Sequence, residues 1–447
     1  MSDSDSAKKL ANLFKQLGVE SETELKPDAP PKSMEEYKFW KTQPVPRFDE
    51  KIEEDGPIDS SKTVADVRTE PYPIHSSFEW DTLDLNSDSH LDQLYDLLYE
   101  HYVEDHDAAF RFAYTKEFFN WALKPPGWKS EWHVGVRAKE SGKLVAFISG
   151  VPCDLSVRHK EIKSVEINFL CVHKQLRSKR LAPLLIKEVT RRVNLHNIWQ
   201  ALFTSGTVLP KPVATCRYAH RPLNWTKLNE VGFSALPHGE TKASMNAKYA
   251  LGGTIKTPGW RPMEEKDVDE VYDLYNNWKS RYKLTQNMNK EELRHWIFGG
   301  SNQDGKVVHA FVVENELSNK VTDFISYYVL PFTVLQNPKH KEIGIAYLYY
   351  YASGVNEGNT SGSNEIQKRL KSLVYDAMVE AKRDNIDVFN ALSSQDNNLF
   401  FDDLKFGAGD GYLNYYIFNY KAAHMDGGIN EKHEFSGRTS DIGVVLL

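Results

Sequence analysis

Residues 132–172, "WHVGVRAKESGKLVAFISGVPCDLSVRHKEIKSVEINFLCV", place apolar segments between the polar turns Glu-Ser-Gly and Arg-His-Lys. That pattern predicts a run of antiparallel strands. At "LAPLLIKEVTRRVN", residues 181–194, the period switches to that of a helix, with Pro183 suited to a first turn. Strands therefore lead into a longer helix through a short polar loop.

The pattern recurs. "LDQLYDL" (Leu91–Leu97) is echoed by "VDEVYDL" (Val268–Leu274), and the 177 residues separating Leu91 from Val268 also separate Phe147 from Phe324 in the two copies of "FIS". Between these anchors "KEFFNWAL" (Lys116–Leu123) resembles "KEELRHWIF" (Lys290–Phe298). Two halves of one plan follow, joined near the Gly-rich "YALGGTIKTPG". Each reads as two helices, several strands and a strand leading into a longer helix, which predicts two α+β lobes sharing a core. The boundaries are a tail over 1–32 and lobes over 33–245 and 246–447.

The tail is rich in Ser, Asp, Lys and Pro and cannot bury a core. Within it Leu10, Leu13, Phe14 and Leu17 form one apolar stripe flanked by lysines. Two readings fit: a helix that docks transiently on a ribosome or membrane surface, or a transient helix in a solvated tail.

Composition narrows the function. The 447 residues carry a net charge of −7 and 12% aromatic residues, so any anion site must be local and nucleic acid is not the expected partner. No apolar run reaches the roughly 18 residues of a membrane span, and the start lacks a secretory core, which gives a cytoplasmic expectation. Cys153, Cys171 and Cys216 have no CxxC pairing, so neither a disulfide framework nor a cysteine metal site is expected. Nothing requires more than a monomer.

The junction after the strand holds Lys174, Arg177, Lys179 and Arg180 just before the helix start at Leu181. Unpaired amides, a positive dipole end and cations together suit a pyrophosphate; a solvated basic face is the alternative. Asn168 inside the apolar strand needs a partner or a task, and the second half, "EIGIAYLYYYASG", lacks the basic loop.

"EINFLCVHK" (Glu166–Lys174) and "KFGAGDG" (Lys405–Gly411) resemble the two signature segments of the glycylpeptide N-tetradecanoyltransferase, or N-myristoyltransferase, family. The likeness runs from about Ser33 to Leu447 and includes "EEYKFWKTQPVP", "YVEDHDAAFRFAY", "FTSGTVLPKPVATCRYAHRPLN" and "DIGVVLL". It implies a tandem of two GCN5-acetyltransferase-like lobes. The wider superfamily's phosphate loop, Arg/Gln-x-x-Gly-x-Gly/Ala, is altered here to Arg177-Ser-Lys-Arg180-Leu-Ala182, which speaks against a simple acetyltransferase.

The resemblance implies myristoyl transfer from myristoyl-CoA, a co-substrate, to the N-terminal glycine of proteins, with no permanent cofactor and no metal. It assigns oxyanion-stabilising amides to Phe169 and Leu170, amine orientation to Asn168 and Thr204, and the base to the Leu447 carboxylate. By oxyanion-hole precedent each amide lowers the barrier by roughly 3–4 kcal/mol. A free α-carboxylate, of pKa about 3.3–3.7, is a poor match for an α-amine of about 7.7–8.0, so the site must close that gap. From the residues alone, a chain end that merely frays is the alternative. For CoA the resemblance implies Tyr37, Lys38, Phe39 and Trp40, then Phe169, Leu170, Cys171 and Val172, and Arg177, Ser178, Lys179, Arg180, Leu181, Ala182 and Pro183 at the phosphates. Cys171 itself reads as a small buried hydrophobe.

For the peptide it implies Tyr102, Val103, Asp105, Phe110, Phe112, Tyr114, Tyr218, His220 and Asp410, with Asp105 and Asp107 facing a basic substrate residue. Solvation of a surface Asp cluster and a structural role for His220 are the alternatives. A non-catalytic acyl-CoA binding module and a lysine-directed acetyltransferase are the competing classes. Because the chain begins Met-Ser, it is not expected to be its own substrate.

Overall fold

The computed structural model describes residues 33–102, 109–299, 306–355 and 362–447, apart from the side chains of Ser178 and of residues 362–364. The stripe Leu10–Leu17 and the candidates Val103, Asp105 and Asp107 lie outside the described residues.

In the first half the strands are β1 (Phe78–Thr82), β2 (His133–Ala138), β3 (Leu144–Pro152), β4 (Ser164–Val172), β5 (Gln200–Ser205) and β6 (Ala214–Pro222). In the second they are β7 (Trp260–Pro262), β8 (Val308–Asn315), β9 (Lys320–Val329), β10 (Ile345–Ser353), β11 (Val388–Leu392) and β12 (Gly407–Phe418). The helices that matter for the site are α1 (Asp88–His101), α2 (Lys116–Leu123), α3 (Leu181–Asn194), α4 (Val268–Lys279) and α5 (Gly362–Arg383).

All twelve strands form one sheet, in the order β7-β8-β9-β10-β11-β6-β12-β5-β4-β3-β2-β1. The halves exchange a strand. β6, from the first half, lies between β11 and β12, while β12, from the second, lies between β6 and β5. Each half also has one parallel pair, β4 with β5 and β10 with β11, bridged by α3 and α5 respectively. A parallel pair requires such a crossover.

The repeat seen in the sequence is structural. Leu91, Leu94, Leu97 and Leu98 bury one face of α1, as Val268, Val271, Tyr275 and Trp278 do for α4. Both copies of Phe-Ile-Ser lie in strands whose pairing slips: β3 against β4 between Phe147 and Ser149, and β9 against β10 between Ile325 and Tyr327. Ser149 Oγ donates to the Asn168 carbonyl at 2.8 Å, and Ser326 Oγ to the Tyr350 carbonyl at 2.8 Å. The two related tryptophans, Trp121 and Trp296, meet edge to face with centroids 5.4 Å apart. β3 is buried at all positions but its last and β10 at every position, as expected of strands covered on both faces. No helix among the described residues is long and apolar enough to cross a membrane.

Candidate active site

β4 and β5 pair in parallel only over Ser164–Gln200, Val165–Ala201 and Glu166–Leu202, and then part. On its other side β4 slips register against β3 at the same level. Phe169 consequently adopts φ +54°, an uncommon left-handed conformation for a bulky residue. Its ring is 2% exposed and lies 5.5–5.9 Å from the rings of Tyr102, Tyr114 and Phe119, so aromatic packing holds the backbone there.

The gap between the strands opens into a cavity that is partly open to solvent. Its walls include Ile167, Asn168, Phe169 and Leu170 of β4, Ala201, Phe203 and Thr204 of β5, and Ile186, Val189 and Val193 of α3. Such a lining, mainly apolar with a few convergent polar groups, suits a ligand with a long apolar part. Trp40 also borders it, stacked on Phe203 at 5.4 Å and 5°, and Phe203 stacks in turn on Tyr416 at 5.0 Å. Tyr37 fastens the same segment by donating to the Val208 carbonyl at 3.0 Å, and Phe39 packs edge-on to Trp40. Lys38 is exposed.

Lys174–Lys179 form a 3-10 turn after β4, and Arg180, with φ 60°, starts α3 without a side-chain cap. The helix start thus presents its first amides without a side chain of its own over them. Arg177 donates to the His101 carbonyl at 2.7 Å, while Lys179 and Arg180 are exposed and paired with no carboxylate among the described residues. Leu181 is buried under the sheet, and Ala182 and Pro183 are half-buried, so these three offer backbone rather than side chains. The side chains of Cys171 and Val172 are buried in clusters on opposite faces of the sheet. All three cysteines are buried free thiols.

The chain's end is buried with them. Val444, Val445 and Leu446 are at most 7% exposed and Leu447 packs against the core. Tyr350 Oη accepts from the Val445 amide at 3.1 Å, and Tyr415 Oη donates to the Val444 carbonyl at 3.3 Å. Asn168 Nδ2 donates to a terminal oxygen of Leu447 at 3.1 Å and to Glu166 at 3.2 Å, while Asn168 Oδ1 accepts from the Phe169 amide at 2.8 Å. Burial raises the Glu166 carboxyl to about 7.

Tyr102 and Tyr114 stand beside Phe169, and Phe112 stacks on Tyr114 at 5.6 Å. Phe110 lies farther out, against Phe233 and Phe332. Tyr218 and His220 lie on β6 and the half-buried Asp410 on the neighbouring β12. A Cβ at Gly409 would come within 2.4 Å of the His220 ring, so glycine is what lets β12 approach. His220 Nδ1 pairs with Asn390 Oδ1 at 2.7 Å, and desolvation holds the imidazole at about 4, hence neutral at pH 7.

Asn168, Phe169, Leu170, Thr204, Trp40 and Tyr102 therefore converge on one cavity, and Leu447 joins them through Asn168. Sequence reasoning missed Glu166, whose signal is an acidic residue in an otherwise apolar strand, and the cavity-lining Ile186, Val189 and Val193, which recur at helical spacing.

Known proteins resemble the chain along its whole length. The family model for the N-terminal domain of myristoyl-CoA:protein N-myristoyltransferase matches residues 57–216, and that for the C-terminal domain matches residues 230–445. The glycylpeptide N-tetradecanoyltransferase of Eremothecium gossypii is 53% identical over 454 residues, covering 100% of both chains. That of Candida albicans is also 53% identical, covering 100% of this chain and 98% of its own. A crystal structure of Saccharomyces cerevisiae N-myristoyltransferase with bound myristoyl-CoA superimposes with a TM-score of 0.90 at 53% identity, over 93% of this chain and 100% of that one. This chain belongs to the myristoyl-CoA:protein N-myristoyltransferase family.

Proposed function

We propose that the protein transfers a tetradecanoyl group from its CoA thioester to the N-terminal glycine amine of peptides and proteins, by direct attack of the amine. The observation that carries this reading is the Asn168–Leu447 hydrogen bond, which sets a chain-terminal carboxylate beside the cavity between β4 and β5. The acyl chain occupies that cavity, and the CoA phosphates meet the start of α3 with Lys179 and Arg180. The peptide enters along Tyr102, Tyr114, Tyr218 and Asp410.

An N-terminal ammonium must lose a proton before it can attack. The Leu447 carboxylate takes it, with Asn168 and Thr204 orienting the amine. The new C–N bond gives a tetrahedral intermediate that carries an oxyanion and a still protonated nitrogen. Its collapse breaks the C–S bond, and the nitrogen's surplus proton passes to the departing CoA thiolate to give the neutral amide and CoA thiol. The Phe169 and Leu170 amides stabilise the oxyanion. In the free protein the Phe169 amide is engaged by Asn168 Oδ1, so it exchanges or shares that partner during the reaction.

The test is mass-resolved transfer from myristoyl-CoA to matched peptides beginning with Gly or Ala, the Gly peptide carrying an internal lysine. Acylation confined to the N-terminal glycine supports the reading. Tight acyl-CoA binding without transfer, or acylation of the lysine, overturns it.

A further inference from the structure

Glu166 lies two residues before Asn168, where β4 and β5 part, and is 8% exposed. Its carboxyl accepts one hydrogen of the Asn168 amide at 3.2 Å, and the other goes to the Leu447 terminus at 3.1 Å. Asn168's oxygen is already taken by the Phe169 amide at 2.8 Å. One amide group, fixed at all its polar atoms, thus joins the carboxyl of Glu166 in β4 to the carboxyl at Leu447.

No cation is paired with Glu166 among the described residues. The titratable groups that face it are Tyr102 after α1, Cys153 after β3, Tyr349 on β10 and Tyr415 on β12. Burial pushes all four upward, so each is neutral at pH 7. That leaves two carboxyl groups, Glu166 and the Leu447 terminus, on the two hydrogens of one Asn168 amide.

We propose that Glu166 is a positioning residue that raises the basicity of the Leu447 carboxylate by presenting a second negative charge across the Asn168 amide. The inference rests on reading Leu447 as the base, and it answers the mismatch between a terminal carboxylate of about 3.3–3.7 and an amine of about 7.7–8.0. A like charge nearby disfavours the charged form of a carboxylate and so raises its proton affinity. Glu166 itself holds its proton until about pH 7 because it is desolvated. It is neutral below that pH and charged above it, so its help to Leu447 appears as pH rises. The two groups titrate as a coupled pair.

The experiment is single-turnover acyl transfer with myristoyl-CoA already bound and a Gly peptide added, followed between about pH 5.5 and 9. The unmodified protein rises in two steps, one near pH 7 from Glu166 and one near pH 8 from the amine itself. Glu166→Gln loses the lower step and falls about tenfold at pH 8, with myristoyl-CoA affinity unchanged; Glu166→Asp keeps a displaced lower step. A Glu166→Gln profile identical to the unmodified one, or reduced by the same factor at every pH, overturns the proposal.

Infrared spectroscopy supplies a readout that does not depend on the folding of Glu166→Gln. The protonated-carboxyl band of Glu166 disappears near pH 7 in the intact protein and at lower pH once Leu447 is deleted and the terminal charge retreats. An unmoved band overturns the coupling. Turnover that survives deletion of Leu447 instead defeats the base assignment, which is a different failure.

Discussion

The side-chain amide of Asn168 donates to the terminal oxygen of Leu447 at 3.1 Å, although 279 residues separate them in sequence. The contact joins the end of the second half to the opened strand pair of the first. Replacing Asn168 with Ala removes it and also takes away the Asn168 Oδ1 acceptor of the Phe169 amide. The expected outcome is a loss of about 10²-fold or more in the single-turnover rate with little change in myristoyl-CoA affinity, measured by rapid quench and calorimetry.

Gly443 sets the path of the last four residues. A Cβ there would come within 2.3 Å of the Tyr282 ring, which is fixed because Tyr282 Oη donates to the buried Asp396 at 2.5 Å. Gly443→Ala should therefore displace the terminus, lowering kcat much more than acyl-CoA affinity. Overpacking of this kind costs about 1–3 kcal/mol, visible as a reduced denaturant midpoint.

The basic junction should behave electrostatically. Lys179→Ala removes an exposed charge that pairs with no carboxylate among the described residues and is expected to weaken CoA binding several-fold at low salt, the difference shrinking as salt rises. Arg177→Ala should cost more and be less sensitive to salt, because Arg177 also holds the His101 carbonyl at 2.7 Å. Calorimetric titrations with CoA at two ionic strengths distinguish these cases.

Buried histidines, His133 and His220 among them, contribute to an acid limit on stability. Desolvation lowers both His133 and His220 from 6.5 to about 4. Between those values the unfolded chain binds more protons than the folded one, so stability is lost as pH falls from about 6.5 to 4. Below about 4 both states are protonated and these groups add no further loss. Urea unfolding across that window should show the decline, and His133→Gln or His220→Gln should flatten part of it.

Local features were the legible ones. The stretch from Glu166 to Asn194 announces strand, charged turn and helix because each property is written in neighbouring residues, and the structure has them as β4, a 3-10 turn and α3. The duplication was legible because Phe147 and Phe324 repeat a motif whose serines make the same bulge contact in both halves. The exchange of β6 and β12 was not, since strand neighbours far apart in sequence leave no periodic trace. The setting of Leu447 is hidden for the same reason: an apolar end suggests burial but not the partner that receives it. Glu166 escaped notice because one acidic residue in a strand looks like a surface position until the second half is seen to cover it.

The most direct test of this account deletes Leu447 and follows a single turnover of bound myristoyl-CoA with a Gly peptide. The account predicts a rate lower by about 10³-fold or more with myristoyl-CoA affinity preserved, because the cavity and the basic junction stay intact. Transfer at the undiminished rate by the shortened chain would contradict it.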